Sequence, residues 1–319
     1  MNLKASRDPH FYCYFCVDQE GLLANLFWRD SKCLVDYNNF GDILIMDSTC
    51  KTNIYGKPLV VFVGVNNHRA TVPFGCALLV DETEETYKWV LSTFIDSMGG
   101  NKPISVITDQ DDAMRNAVVE LIPDARYRLC GWHISKNVIG KIHHVNVQRD
   151  FMHLIYSGLS VTEWESYWNY VVAMAGLHDN PWVIGMYNKR ERWAEAFFKE
   201  DFFAGVRSTQ RCEQMHRNMK TGLGKYMRLY EVLPRLDKTM NRIRERVLFD
   251  DFVSVNASPV IGDHMSLLQE QLEKKFTHDI FLLLQDQIRF ESRFIVDDEF
   301  HFPDLGSSVV TLTQYGKTA

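Results

Sequence analysis

The stretch Gly41–Asn53, GDILIMDSTCKTN, decides how the chain is read. Ile43 to Met46 form an unbroken apolar run, which suits a strand buried on both faces. The run stops on a carboxylate, Asp47, and every residue from there to Asn53 is small or polar. An acid at the tip of a buried strand is most often a turn or cap residue, so its meaning depends on what else the chain brings to that place.

Two further strand-like runs follow closely, Leu59 to Val65 (LVVFVGV) and Phe74 to Val80 (FGCALLV), across the turn-rich links NIYGKP and NNHRATVP. Links this short favour antiparallel neighbours. DETEETYKWVLSTFIDSMGG has acids in its first turn, Tyr87, Val90, Leu91, Phe94 and Met98 at helical spacing, and a Gly-Gly stop, and is a predicted helix. PISVITD is then a buried strand ending on Asp109, DDAMRNAVVELIP a helix closed by Pro123, and ARYRLC a fifth strand entering GWHISKNV. The order is β-β-β-α-β-α-β, an α/β pattern.

Ahead of it, Phe11 to Val17 and Leu22 to Trp28 read as a hairpin around DQEG, followed by a short helix near Asp30 to Tyr37. Beyond it, residues 132 to 203 carry no strand signal, and aromatic and aliphatic residues recur every three or four positions, as in EWESYWNYVVAMAGL. A helix starts within RSTQRCEQMHRNMK, with Ser208 or Thr209 as N-cap candidates. Others are expected at about 229–249, 265–276 and 279–292, in a tail that is otherwise weakly patterned. The expected division is 1–40 as lead-in, 41–131 as first part of the core, 132–207 as helical insertion, 208–250 as the last core helices, and 251–319 as tail.

Composition narrows the function classes. With 319 residues, 46% hydrophobic and 24% charged, the chain is an ordinary globular protein. It contains no apolar run of the roughly 18 residues that span a bilayer. Its first residues lack the apolar core of a signal peptide, which predicts a cytosolic or nuclear protein with no membrane association. Seven scattered cysteines, an odd number, predict reduced thiols. The net charge of −6 argues against coating nucleic acid through bulk charge, but residues 207–246 hold eleven Lys/Arg against four Asp/Glu, an excess of seven. Arg207, Arg211, Arg217 and Lys220 are the DNA-contact candidates.

Asp47 and Asp109 both end apolar strands, and strand tips are where an α/β sheet presents reactive groups. If the first and fourth core strands are neighbours, the two carboxylates converge. They then share a proton or hold a divalent cation. A third acid would let two Mg²⁺ ions sit roughly 3.5–4 Å apart for phosphoryl displacement, and Glu213 is the candidate. Each alone is more simply a cap or surface residue; their joint order carries the reading. Cys130 and His133 could give two of the four ligands of a zinc site, but a structural hydrogen-bonding role stands slightly ahead. Cys13 and Cys16, three apart on a strand, point to opposite faces and do not complete it.

FGDILIMDSTCKTNIYGKPLVVFVGVNNH, FGCALLVDETEETYKWVLSTFIDSMGG, VITDQDDAMRNAV, RLCGWHISKNV and FFAGVRSTQRCEQMHRNM, in that order, resemble the transposase domain of Mutator-like elements, and specifically the plant far-red impaired response family derived from it. The resemblance covers about residues 8–250. It implies a ribonuclease-H-like fold with an all-α insertion before the last acid-bearing helix, acidic positions at Asp47, Asp109 and Glu213, and a C-x-x-H motif at Cys130 and His133. It further implies a nuclear, zinc-binding regulator of transcription that associates with DNA and with protein partners, related proteins included, and does so without catalysis. The intact acids keep open an active Mg²⁺-dependent transposase, and the aromatic helical block a dimerisation scaffold that does not touch DNA. Family members carry an N-terminal zinc-binding DNA-recognition domain and a C-terminal C-x-C…C-x-H finger. Neither is visible in these residues, so a truncated gene model or a short paralogue is expected.

Overall fold

The computed structural model describes residues 2–49, 53–220, 227–291, 293–302 and 307–314, with the side chains of 2–3, 219–220 and 295 onward outside the description. A first turn of helix, α1 (Asn2–Ala5), precedes the expected hairpin β1 (Tyr12–Val17) and β2 (Leu23–Arg29). The Asp18 carboxylate accepts from the amides of Glu20 and Leu22, and Gly21 takes the left-handed conformation that the turn needs. Helix α2 (Ser31–Phe40) starts where Asp30 caps the Cys33 amide.

The core follows as β3 (Ile43–Thr49), β4 (Leu59–Val65), β5 (Thr71–Leu78), α3 (Glu84–Ser97), β6 (Ser105–Thr108), α4 (Asp112–Leu121) and β7 (Arg126–Leu129). These strands and the hairpin make one seven-stranded sheet in the order β1-β2-β5-β4-β3-β6-β7. The sequence gives the hairpin but not its place: β2 pairs antiparallel with β5, so the lead-in strands widen the core sheet. The links β3–β4 and β4–β5 are antiparallel as their short connections require, whereas β3–β6 and β6–β7 are parallel and need the crossovers through α3 and α4.

Alternation along β3 sorts its side chains between two cores. Ile43 and Ile45 face Cys212, Met215, Val232 and Leu236 of α9 (Gln210–Lys220) and α10 (Leu229–Asn256). The other face packs on α2 and α3. There Phe94 stacks on Phe62 with ring centroids 4.7 Å apart and meets Tyr37 edge-on at 5.3 Å and Phe27 at 6.2 Å. Helix α3 is set by its N-cap Thr83, by Glu84 and Glu85 in its first turn, and by the left-handed Gly99 and Gly100 that end it.

The helical block is α5 (Gly131–Lys141), α6 (Val145–Tyr156), α7 (Val161–Ala175), α8 (Pro181–Asn188) and two 3-10 turns, Arg190–Arg192 and Glu195–Phe197. Trp164, Trp168 and Trp193 are buried in its own core, with the indole N–H groups of Trp164 and Trp193 donating to Leu154 O and Met186 O. Those aromatics are therefore packing residues, not an exposed interface. Arg128, fully buried on β7, and Arg207 both pair with Glu195, at 2.6 and 3.2 Å, and tie the block to the sheet edge.

Two compact units result, one of residues 1–66 and 71–243, the other of 67–70 and 244–319. In the second, α11 (Ser266–Glu273) and α12 (His278–Glu291) are joined by Gln285 donating to Gln269 at 2.9 Å, and the His68 ring bonds Asp251 at 2.8 Å. An antiparallel pair, β8 (Phe294–Phe302) and β9 (Ser307–Gln314), lies in the tail where the sequence suggests no strand. Among the described residues no helix is long and apolar enough to cross a membrane. Among the described residues cysteines 13, 16, 33, 76, 130 and 212 form no disulfide.

Phe94→Ala removes the ring that joins Phe27, Tyr37 and Phe62, and the expected loss is about 3–5 kcal/mol of stability, the range for a buried Phe truncation. Urea unfolding followed by circular dichroism measures it; a loss under about 1 kcal/mol would show that this face of the sheet does not depend on the cluster.

Candidate functional site

Strand direction assembles the site. β6 and β7 run parallel to β3, and β5, two antiparallel steps away, also runs the same way. The C-terminal ends of four strands therefore share one sheet edge. Asp47 of β3, Glu82 after β5, Asp109 after β6, and Cys130 with His133 after β7 all arise there.

Asp47 and Asp109 occupy equivalent places. Ile45 pairs with Ile107, and each acid lies two residues further on, which returns it to the same face of the sheet. Asp47 is buried, and Asp109 is half-buried and accepts from the Asp111 amide at 3.1 Å. Burial first, and the neighbouring Asp47 charge second, push the Asp109 carboxyl up to about 6.

Glu213, the third sequence candidate, sits in the first turn of α9, whose Cys212 and Met215 pack under β3. It approaches His133, with Nε2 to Oε1 3.8 Å. The side chain that meets Asp47 is His216, buried, with Nδ1 3.5 Å from Oδ2. His216 is not among the candidates named from the sequence. The available signal was its i, i+3 spacing from Glu213, which puts both on one helix face.

Cys130 is fully buried at the start of α5, and its sulfur accepts from the Thr209 amide at 3.3 Å. Burial would raise this thiol, but hydrogen bonding with His133 and Thr209 outweighs it and holds the thiol below its ordinary value. The sulfur in turn raises His133, against burial and with help from Asp47 and Asp109. The pair thus braces the junction of β7, α5 and α9. Of the N-cap candidates for α9, the Ser208 hydroxyl accepts from Gln210 N at 3.4 Å, while the Thr209 hydroxyl is buried without a hydrogen bond.

Among the described residues no three His, Cys, Asp or Glu side chains converge as ligands for a metal ion. The donors meet in pairs: Asp47 with Asp109, Glu213 with His133, Cys130 with His133. Two neighbouring hard carboxylates fit one largely hydrated Mg²⁺. Glu213 Oε1, His133 Nδ1 and His216 Nε2 are buried and lack hydrogen-bond partners, which leaves polar capacity around the acids. Zinc fits less well, since Cys130 and His133 bring only half of a structural donor set.

The basic candidates are scattered. Arg207 pairs with Glu195, Arg211 donates to Thr71 Oγ1 at 3.2 Å, Arg217 is exposed on α9, and the Lys220 side chain lies outside the described residues. Arg207 and Arg211 line a cavity of about 460 Å³ with Trp132, Tyr156, Gln210 and Gln214. A second group was missed. Arg235, Lys238 and Arg242 are exposed on α10, with Arg228 seven residues before the first. Steps of seven, three and four place all four on one helix face.

The model of the MULE transposase domain matches residues 43–137, which span β3 through most of α5. FAR1-RELATED SEQUENCE 5 of Arabidopsis thaliana is 29% identical over 292 residues, covering 88% of this chain and 36% of that protein. FAR-RED IMPAIRED RESPONSE 1 of the same plant is 29% identical over 286 residues, covering 88% and 34%. The chain thus spans about a third of the length of these relatives. The HTLV-2 integrase catalytic core domain, solved in complex with magnesium, aligns over 35% of this chain and 83% of its own at 16% identity and a TM-score of 0.20, a superposition too loose to argue from. The MULE transposase domain on the strands that carry Asp47 and Asp109, together with this identity along most of the chain, supports a FAR1-like family.

Proposed function

We propose that the chain is a transposase-derived nuclear regulator of transcription that associates with DNA and with protein partners, related proteins included, without catalysis. In this reading residues 41–131 and 208–250 form a ribonuclease-H-like core around the helical insertion. The observation that carries DNA association is the exposed stripe Arg228, Arg235, Lys238 and Arg242, a run of cations on one helix face in a chain of net charge −6. The absence of catalysis rests on Glu213, which keeps company with His133 while Asp47 and Asp109 face each other. Zinc then belongs to modules that the longer relatives carry, and Cys130 and His133 serve packing.

Cations that meet phosphates release counterions, so the salt dependence of binding counts them. Neutralising Arg235, Lys238 and Arg242 to Gln together is expected to reduce the slope of log affinity against log salt by roughly 2–3, at about 0.9 per phosphate contact. Fluorescence anisotropy with a labelled duplex at several salt concentrations reads it. An unchanged slope would remove α10 from the interface, and no binding at any salt would favour the scaffold that does not touch DNA. Nuclear accumulation of a tagged chain and its mass by light scattering test the compartment and self-association.

The paired acids favour a second reading, an active Mg²⁺-dependent transposase. Asp109 takes up its proton in the folded state near pH 6 against an ordinary 3.8, so folding binds the proton more tightly than the unfolded chain does. Stability is then fully present below about pH 4 and falls as pH rises through about 6. Asp109→Asn is expected to stabilise the protein at pH 7 by about 1–3 kcal/mol and to lose that advantage below about pH 4. Under the enzyme reading, Mg²⁺ raises the melting temperature of the wild type at pH 7 and not that of Asp109→Asn. Equal responses of the two proteins, or DNA cleavage in Mg²⁺ or Mn²⁺ that Asp47→Ala leaves unchanged, reject it.

A further inference from the structure

A second cavity, of about 290 Å³, opens between the start of α4 and the end of α8. Arg115, Lys189 and Arg192 line it, against one acid, Asp112. Among the described residues Lys189 and Arg192 make no ion pair. Arg115 gives one N–H to Asn116 at 3.1 Å, and its Nε is buried without a hydrogen-bond partner. A buried guanidinium donor left unmade, beside two further cations, is a pocket short of an anion.

The rest of the lining says which anion. Half-buried Trp182 contributes aromatic surface and packs at 6.0 Å from the Phe151 ring, while fully buried Trp193, its indole bonded to Met186 O, backs the wall. A planar wall with a guanidinium cluster beside it suits a base and its phosphate, by stacking and by forked hydrogen bonds. The volume admits one nucleotide and not a duplex. Gln110, the residue after Asp109, also lines the cavity, and its side-chain oxygen accepts from Asn137. The cavity therefore begins one residue from the acid edge, on the side of the sheet edge nearest the helical insertion.

We infer that this pocket holds a single unpaired nucleotide, its phosphate on Arg115, Lys189 and Arg192 and its base against Trp182. The inference deepens the DNA-associating reading and rests on it for the source of the nucleotide, a strand with at least one base out of the duplex. The α10 stripe would then carry duplex contacts and this pocket a displaced base. That division would give the helical insertion, whose own core needs none of these three cations, a part in binding.

The test uses the full chain and labelled dT8, with a duplex of the same length and free deoxythymidine monophosphate as competitors. Arg192→Gln is expected to weaken dT8 binding about tenfold, the loss of one charge-assisted phosphate contact, and to leave duplex affinity within about twofold. Trp182→Ala, which keeps the cations, is expected to weaken dT8 comparably while leaving the salt slope unchanged. Circular dichroism checks that both variants fold. Wild-type dT8 affinity in both Arg192→Gln and a second variant, Arg115→Gln, overturns the pocket even if duplex binding stands. Deoxythymidine monophosphate binding that Arg192→Gln abolishes, in a protein that binds neither DNA, keeps the pocket and overturns the DNA-associating reading.

Discussion

Parallel pairing of β3 with β6 is the constraint that gives the molecule its reactive edge. Strands in a sheet lie roughly 4.8 Å apart, and the register Ile45 to Ile107 carries both chains forward to an acid two residues later. Two carboxylates so placed repel each other. Burial adds to the repulsion and the Asp111 amide offsets part of it, so the proton stays on Asp109 up to about pH 6. No choice of rotamer removes this coupling, because the backbone register imposes it.

The helices respond to that edge. Cys212 and Met215 anchor α9 beneath β3, and the next turn of the same face delivers His216 to Asp47. Glu213, one turn earlier, is carried toward α5 and meets His133. The position of α5 is itself fixed by Cys130, whose sulfur takes the Thr209 amide. Asp47 thus has an imidazole at 3.5 Å, Glu213 has another at 3.8 Å, and Asp109 accepts from the Asp111 amide at 3.1 Å. Burial first, and the Asp47 charge second, account for the raised Asp109 carboxyl.

The core strands and their flanking helices were legible because each carries its own signal: apolar runs of strand length for β3 to β6, and caps with helical periodicity for α3 and α4. That Asp47 and Asp109 lie on neighbouring strands stood in the sequence only as a condition, which the pairing of β3 with β6 meets. What was not legible is long range. The outer hairpin shows its turn at Asp18 to Gly21 but nothing that names β5 as its neighbour. His216 is one of 11 histidines, and only the docking of α9 on β3 singles it out. Arg207 and Arg211 looked like phosphate ligands, yet each has a partner inside the protein, whereas Arg235, Lys238 and Arg242 are exposed on α10. The pair β8 and β9 arises in a stretch rich in acids and polar residues, where pairing with each other is the whole signal.

Energetics argue about what the acidic edge is for. A sheet of this topology needs no carboxylate at either tip: Ile45 and Ile107 fix the register, and the aromatic cluster around Phe94 and the aliphatic face under α9 supply the burial. Asp47 and Asp109 oppose folding at neutral pH by the free energy that keeps a proton on Asp109. His216 reaches only Asp47. Stability therefore cannot be the reason for two acids at this register, and the arrangement makes physical sense only if something positive reaches the edge at some stage, whether a proton, a hydrated cation or the basic face of a partner. The buried polar atoms of Glu213, His133 and His216 that lack hydrogen bonds point the same way, since each costs free energy that a bound group at the edge would return.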